Sequence, residues 1–294
     1  MNLTPQVKKL CELYDITPSR SKGQNFLITE KIYDDIVQAA ELTEDDIVLE
    51  VGPGLGFLTA KLGKAVKQVV AVELDDKLSG VLRDGLNLYG VKNVEVVNKD
   101  ILKVSAKELG LKDREYKIVA NLPYNITSIF LRRFLSDEIF KPASMTLMLQ
   151  KEVAARIIAK PSRPGSSGQA NKMSVLAVSV QFYAEPKIIR QVSKGNFWPS
   201  PEVDSAIIKL NILNPKHKPG GEAIDDKNFF RLVRHGFSSK RRMLKNNLAG
   251  GYKISNEEAE TALEAIGLNP KIRAEGLTVE NWVELFGEFE KFMV

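Results

Sequence analysis

An α/β fold, with a mostly parallel sheet and helices on both faces, followed by a small all-helical domain, is what this sequence predicts on three observations. Short apolar runs at Ile47–Val51, Lys67–Glu73, Val94–Val97 and Lys117–Ala120 alternate with stretches of helical spacing. A parallel pair of strands needs a crossover, and a helix supplies it. The first of these runs leads straight into a glycine turn that opens a helix, Gly52-Pro53-Gly54-Leu55-Gly56. From Asp226 onward the pattern is helical only.

Each element follows from its spacing. Residues 5–15 read as a short helix stopped by Thr17-Pro18, and Glu30–Leu42 as a helix whose apolar positions are Ile32, Ile36, Val37 and Ala40. Helices are expected near 57–65, 76–89 and 126–139, between the strand runs. Ser144–Leu149 reads as a fifth buried strand and Glu152–Ala159 as a helix. Pro161–Asn171 is the most loop-like stretch, and apolar residues return at Ser174–Tyr183. Lys187–Val192 and Ser205–Ile212 read as late strands around a turn at Trp198-Pro199-Ser200-Pro201. The polar stretch from Asn214 to Ala223 reads as a linker. The expected organisation is a domain over 1–214, with an N-terminal helical extension, and a helical domain over 215–294.

Composition narrows the class. The chain has 294 residues, with 44% apolar and 27% charged, which is globular. No apolar run approaches the ~18 residues of a membrane span, and Met1–Tyr14 has no signal-peptide core. The single cysteine, Cys11, excludes an intrachain disulfide and a cysteine zinc cluster. Two histidines, His217 and His235, without a metal-binding pair give no metal site. A cytoplasmic protein with no membrane partner is expected. Forty-two Lys and Arg against thirty-seven Asp and Glu give a net charge of +5. The basic excess is placed: residues 151–218 carry +7 and residues 246–294 carry −5. That pattern suits either a solvated surface or a polyanion footprint.

The glycine turn and the acids after it point to a nucleoside ligand. A lone glycine triplet is more often an ordinary turn. Its spacing fails the dinucleotide fingerprint, whose sixth position from Gly52 is here Phe57, and no P-loop Gly-Lys-Ser/Thr follows. Glycines at the first, third and fifth positions after Glu50 resemble the first motif of class I S-adenosylmethionine methyltransferases. Glu73 closes the second strand, 21 residues past Gly52, where a carboxylate accepts ribose hydroxyls. Asp100 follows the third strand and suits an adenine amino group. Ligands of parallel sheets bind at that carboxyl edge.

Asn121-Leu122-Pro123-Tyr124 follows the fourth strand. Alone it reads as a strand-ending turn. Followed by Asn125-Ile126, it resembles the motif of the ribosomal RNA adenine dimethyltransferases. Gln24-Asn25-Phe26-Leu27 after Gly23 is similar to that family's N-terminal cofactor motif. Phe197-Trp198-Pro199-Ser200-Pro201-Glu202-Val203-Asp204-Ser205-Ala206 is similar to its late motif, and Phe237–Leu248 to its basic helix. The resemblance runs from Gly23 to Leu248 and is to the small-subunit branch. It implies a Rossmann-like fold and S-adenosyl-L-methionine as cofactor. It also implies dimethylation of N6 on two adjacent adenosines near the 3′ end of small-subunit rRNA, with an assembling small ribosomal subunit as partner. A monomer is expected.

The residues carry chemistry of their own. The N6 lone pair of adenine is delocalised into the ring. Two acceptors on its hydrogens, the Asn121 side-chain oxygen and the Leu122 carbonyl, would favour a more pyramidal nitrogen. Pro123 fixes φ and removes a competing donor. Tyr124 and Phe197 offer aromatic faces for an extruded base, although the common fate of such residues is the core. Gln24, Asn25, Leu27, Gly52, Gly54, Gly56, Glu73, Asp100 and Asn121 are the candidate cofactor residues. Asn25 and Leu27 are placed by the resemblance at the methionine end of the cofactor.

The segment Arg231–Lys245 holds six basic residues and no acid. On one continuous helix Arg234, Arg241 and Lys245 share a face, and with Lys240 and Arg242 they are the candidate RNA contacts. Two departures from the family stand out: Gly168–Lys172 lacks the Tyr-Gly common in relatives, and Lys240-Arg241-Arg242 replaces Arg-Arg-Lys. The alternatives are a large-subunit rRNA dimethyltransferase conferring antibiotic resistance, a DNA adenine methyltransferase and a catalytically silent nucleic-acid-binding relative. A nicotinamide oxidoreductase is disfavoured by the glycine spacing.

Overall fold

The computed structural model describes residues 1–19, 23–88, 90–161, 172–216 and 221–293. The expected loop beyond Pro161, the departure at 168–171 and positions 217–220 of the expected linker lie outside the described residues. Two compact units divide the chain. The first comprises Met1–Ala154 and Pro186–Ile212, the second Ala155–Glu185 and Leu213–Val294.

The first unit is built on the strand pattern. Its strands are β1 (Ile47–Val51), β2 (Gln68–Glu73), β3 (Val94–Asn98), β4 (Tyr116–Asn121), β5 (Ser144–Gln150), β6 (Ala184–Val192) and β7 (Ser205–Ile212). The seven-stranded sheet runs in the order β3-β2-β1-β4-β5-β7-β6. The pairs β1–β2, β2–β3, β1–β4 and β4–β5 are parallel, and β5–β7 is antiparallel. Val48, Leu49 and Val51 of β1 are all buried, as a strand covered on both faces requires. This is the doubly wound, Rossmann-like sheet that the resemblance implied. The chain leaves β1 towards β2 on one side and returns to β4 on the other. Their carboxyl ends therefore diverge into a crevice, the switch point where ligands of such sheets bind.

Helices α1 (Thr4–Leu13), α2 (Glu30–Ala40), α3 (Phe57–Leu62), α4 (Asp76–Leu88), α5 (Thr127–Arg132) and α6 (Lys151–Ile157) come with these strands. In α2 the buried residues Ile32, Tyr33, Ile36, Ala39 and Ala40 recur at helical spacing. Burying one such large aliphatic side chain, Ile36, stabilises by ~1.5–3 kcal/mol. The expected helix over 126–139 is broken up. A 3₁₀ turn covers Tyr124–Ile126, and a π turn covers Arg133–Asp137 after α5. Two ties explain the break. The Arg133 guanidinium donates to the carbonyls of Leu102 and Val104, at 2.7 Å each. The Glu138 N–H donates to the Arg133 carbonyl at 2.7 Å, which closes the wider turn.

The second unit contains α7 (Val175–Tyr183), α8 (Asp226–Gly236), α9 (Leu244–Tyr252), α10 (Asn256–Ala265) and α11 (Val279–Phe289). Its core joins Phe182 of α7, Phe229 of α8 and Trp282, Phe286 and Phe289 of α11. Phe182 stacks on Phe229 with centroids 4.4 Å apart. That burial draws residues 155–185 into the helical unit, so the chain passes between units three times instead of once at 214/215.

Candidate active site

The turn after β1 shapes the cleft. Gly52, Gly54 and Gly56 take φ values of +66°, +57° and +84°. At Gly56 a Cβ would meet Leu82 Cδ1 at 2.6 Å, so the Leu82 side chain would have to shift, and the positive φ would strain any L side chain. Gly52 and Gly54 line a cleft of about 380 Å³ at the carboxyl ends of β1, β2, β3 and β4. Eleven predicted residues meet there: Gln24, Asn25, Gly52, Gly54, Glu73, Asp100, Asn121, Leu122, Pro123, Tyr124 and Phe197.

Two predicted residues are placed elsewhere. Gly56 is the buried N-terminal cap of α3 and lies outside the cleft lining. Leu27 is 1% exposed in the core, where its carbonyl accepts from the Tyr33 hydroxyl at 2.8 Å. It supports the cleft from behind: Leu27 pairs with Phe197, and Phe26 with Trp198, in a short antiparallel ladder.

The acids are held by amides. Glu73 Oε2 accepts from the Gly54 N–H at 3.1 Å and Oε1 from the Asp75 N–H at 2.9 Å. Burial pushes its carboxyl up, against the pull of those amides. Asp100 Oδ1 accepts from the Leu102 N–H at 2.9 Å, which orients the carboxylate at the end of the strand. Gln24 is held by its own side chain, whose Oε1 accepts from the Ser19 N–H at 2.9 Å.

Asn121 ends β4, and the next residue hangs on the neighbouring strand. The Leu122 N–H donates to the Met148 carbonyl at 3.1 Å. Among the described residues the Asn121 amide has no hydrogen-bond partner, so it is available to the cleft it lines. Tyr124 begins the 3₁₀ turn, and its hydroxyl shares a 2.7 Å hydrogen bond with Ser205. Burial pushes its phenol up, so it stays protonated.

Sequence reasoning missed several lining residues, among them Leu74, Asp75, Lys99 and Ile101. A signal was present, since each flanks a strand-ending acid that had been singled out. Leu74 is 66% exposed, an apolar residue left uncovered beside Glu73, while Ile101 beside Asp100 is buried. Both offer apolar surface to a flat ring.

Glu50, one residue before the glycine turn's Val51, is 1% exposed, and neither carboxylate oxygen has a partner. Burial pushes its pKa from 4.5 to about 8, against the weaker pull of the neighbouring Thr59 hydroxyl and with the Glu73 charge adding to the shift. It is therefore protonated at neutral pH.

The basic segment corrects the expected continuous helix. Arg234 lies on α8, Lys240, Arg241 and Arg242 lie in the turn between α8 and α9, and Lys245 is in the first turn of α9. The turn is pinned from inside. The buried Asn247 donates to the carbonyls of Gly236 at 2.6 Å and Ser239 at 3.0 Å. Arg234, Lys240, Arg241 and Arg242 are exposed. Lys245 is ion-paired with Glu260 of α10, an acid outside the basic segment, so its charge is partly neutralised.

A family model described as ribosomal RNA adenine dimethylase matches residues 18–291. The chain is 42% identical over 288 residues to the ribosomal RNA small subunit methyltransferase A of Dehalococcoides mccartyi, covering 98% of this chain and 94% of that one. It is 39% identical over 279 residues to the protein of that name from Clostridium botulinum, covering 95% and 96%. Among solved structures it is similar to a dimethyladenosine transferase from Plasmodium falciparum, with a TM-score of 0.73 and 25% identity over 92% of this chain and 98% of that one. It is also similar to the 23S rRNA methyltransferase ErmE, with a TM-score of 0.67 and 28% identity over 90% and 99%.

The raised carboxyl of Glu50 has a measurable signature. Its folded-state pKa of about 8 lies above the usual 4.5, so between those values the folded protein holds a proton that the unfolded chain has released. Stability from this group is full below about pH 4.5, falls as pH rises and levels off above about 8. Glu50→Gln keeps the shape and removes the titration. The expected result is that Tm of the wild type declines relative to Glu50→Gln across that window. Parallel melting curves would show that Glu50 is ionised in the fold.

Proposed function

Because the chain belongs to the ribosomal RNA adenine dimethylase family, we propose that it transfers methyl groups from S-adenosyl-L-methionine to N6 of two adjacent adenosines near the 3′ end of small-subunit rRNA. The product is N6,N6-dimethyladenosine. The observation that carries this reading is Asn121-Leu122-Pro123-Tyr124 at the carboxyl end of β4, in one cleft with Glu73 and Asp100. In this reading the enzyme is a cytoplasmic monomer acting on the assembling small subunit. Among the described residues no helix is long and apolar enough to cross a membrane.

The residues fit the donor. A cleft of about 380 Å³ lies in the range of small-molecule sites. Glu73, Asp75 and Asp100 give it acceptors and negative charge suited to a cation that carries a ribose and an adenine. When bound, S-adenosyl-L-methionine supplies an electrophilic methyl group on sulfur. Glu73 accepts the ribose hydroxyls, and Asp100 the adenine amino group. Leu74 and Ile101 cover the ring. Gly52 and Gly54 let the backbone approach, and Gln24 and Asn25 border the methionine end.

The target adenine is taken out of its stack and held between Tyr124 and Phe197, with stacking worth ~1–3 kcal/mol. Asn121 Oδ1 and the Leu122 carbonyl accept the N6 hydrogens and aim the lone pair along the line of attack. Catalysis is positioning and preorganised acceptors. Tyr124 remains a neutral phenol and is no base, so the N6 proton leaves to solvent after transfer. A neutral Asn121 serves both rounds, since the second has one N6 hydrogen to hold. In the helical unit, Arg234, Lys240, Arg241 and Arg242 neutralise rRNA phosphates.

The reading is tested with labelled donor, undermethylated small subunits and, in parallel, large-subunit RNA. Labelled N6,N6-dimethyladenosine from the small subunit alone is expected. Label in large-subunit RNA would place the chain with the resistance-type enzymes, and no label in either would leave a binding factor. Replacing Lys240, Arg241 and Arg242 together by Ala is expected to weaken RNA binding and lower the slope of log affinity against log salt, by ~0.7–0.9 for each lost phosphate contact. An unchanged slope would remove this turn from the RNA interface.

A further inference from the structure

The late motif sits far along the chain from the motif at the end of β4, yet the two are bonded. Tyr124 and Ser205 are 81 residues apart and share the 2.7 Å hydroxyl hydrogen bond. Either hydroxyl can donate in this bond, and both orientations tie the two side chains together. Ser205 is fully buried, and its register opposite Gln150 fixes where it stands at the start of β7. A bond from so rigid a partner sets where the half-buried Tyr124 ring stands. Packing alone would leave the ring freer.

The residue before it holds the other side. The Asp204 carbonyl accepts from the Lys151 N–H at 3.0 Å, which ties it to the end of β5. Its Oδ1 accepts from the Lys194 N–H at 3.0 Å. Lys194 opens the 3₁₀ turn Lys194–Asn196, which leads directly into Phe197. Consecutive residues on one rigid strand end thus hold Tyr124 and the turn that carries Phe197. Neither lines the cleft.

We propose that Asp204 and Ser205 are positioning residues that set the gap between the two aromatic walls, Tyr124 and Phe197, which receives the target adenine. This rests on the proposed function. It adds that the late motif acts through the spacing of those walls and not by touching substrate or donor. The second methyl transfer depends on this gap more than the first. It has one N6 hydrogen to hold instead of two, so stacking must do more of the aiming.

The test is kinetic, on small subunits, with Ser205→Ala, Ser205→Thr, Asp204→Ala, Tyr124→Phe and the Ser205→Ala/Tyr124→Phe double variant. Ser205→Ala is expected to lower kcat about tenfold and to raise the share of singly methylated adenosine, with the dissociation constant of the methyl donor unchanged. Ser205→Thr, which keeps the hydroxyl, should restore most of the rate. Asp204→Ala should shift the product ratio the same way. Tyr124→Phe removes the same bond, so the double variant should be no slower than either single one. The single Tyr124→Phe variant, which leaves the buried Ser205 in place, carries the test if Ser205→Ala fails to fold. A kcat within about twofold of wild type with an unchanged product ratio, or losses that multiply in the double variant, would overturn the proposal. A wild-type enzyme that makes no dimethyladenosine would instead overturn the proposed function.

Discussion

The pairing of β1 between β2 and β4, all parallel, is the constraint on which the site depends. Helical crossovers on opposite faces force the carboxyl ends of β1 and β4 apart, and the crevice appears with no contribution from side chains. Gly52 follows β1, Glu73 ends β2, Asp100 follows β3 and Asn121 ends β4. Each would be an ordinary turn or surface residue if the sheet were not wound in this order. Register, and not proximity in sequence, brings them to one cleft.

Support for that cleft comes from segments distant in the chain. The short ladder that pairs Leu27 with Phe197 ties the N-terminal motif to the late one. The Tyr124–Ser205 bond ties the late motif to the end of β4. The cleft walls are therefore cross-linked by backbone and hydroxyl hydrogen bonds. Such cross-links suit a site whose chemistry needs alignment more than a strong base.

Much of this was legible in the sequence, and the rest fails for definite reasons. β1 and β7 match their apolar runs because each is buried over most of its length, Val48–Val51 in β1 and Ser205–Leu210 in β7. Matching a motif does not say which of its residues line the cleft, and Gly56, which caps α3, and Leu27, which packs in the core, lie outside the lining. The basic segment has the composition of one helix, but the buried Asn247 holds it as a turn between two. Glu260, which pairs with Lys245, is remote in sequence and gave no local signal. Residues 155–185 join the helical unit because Phe182 finds its partners in α8 and α11, and periodicity says nothing about where an apolar face is buried.

In the proposed mechanism an uncharged amide at the end of β4, that of Asn121, aims the attacking nitrogen. The most direct measurement is the single-turnover methylation rate of Asn121→Ala on undermethylated small subunits, with the fold checked by its melting transition. A fall of about 100-fold or more is the expected result, the usual loss when one preorganised hydrogen-bonding group is removed from a reacting centre. A near-normal rate in a folded variant would show that the Asn121 amide does not aim the nitrogen.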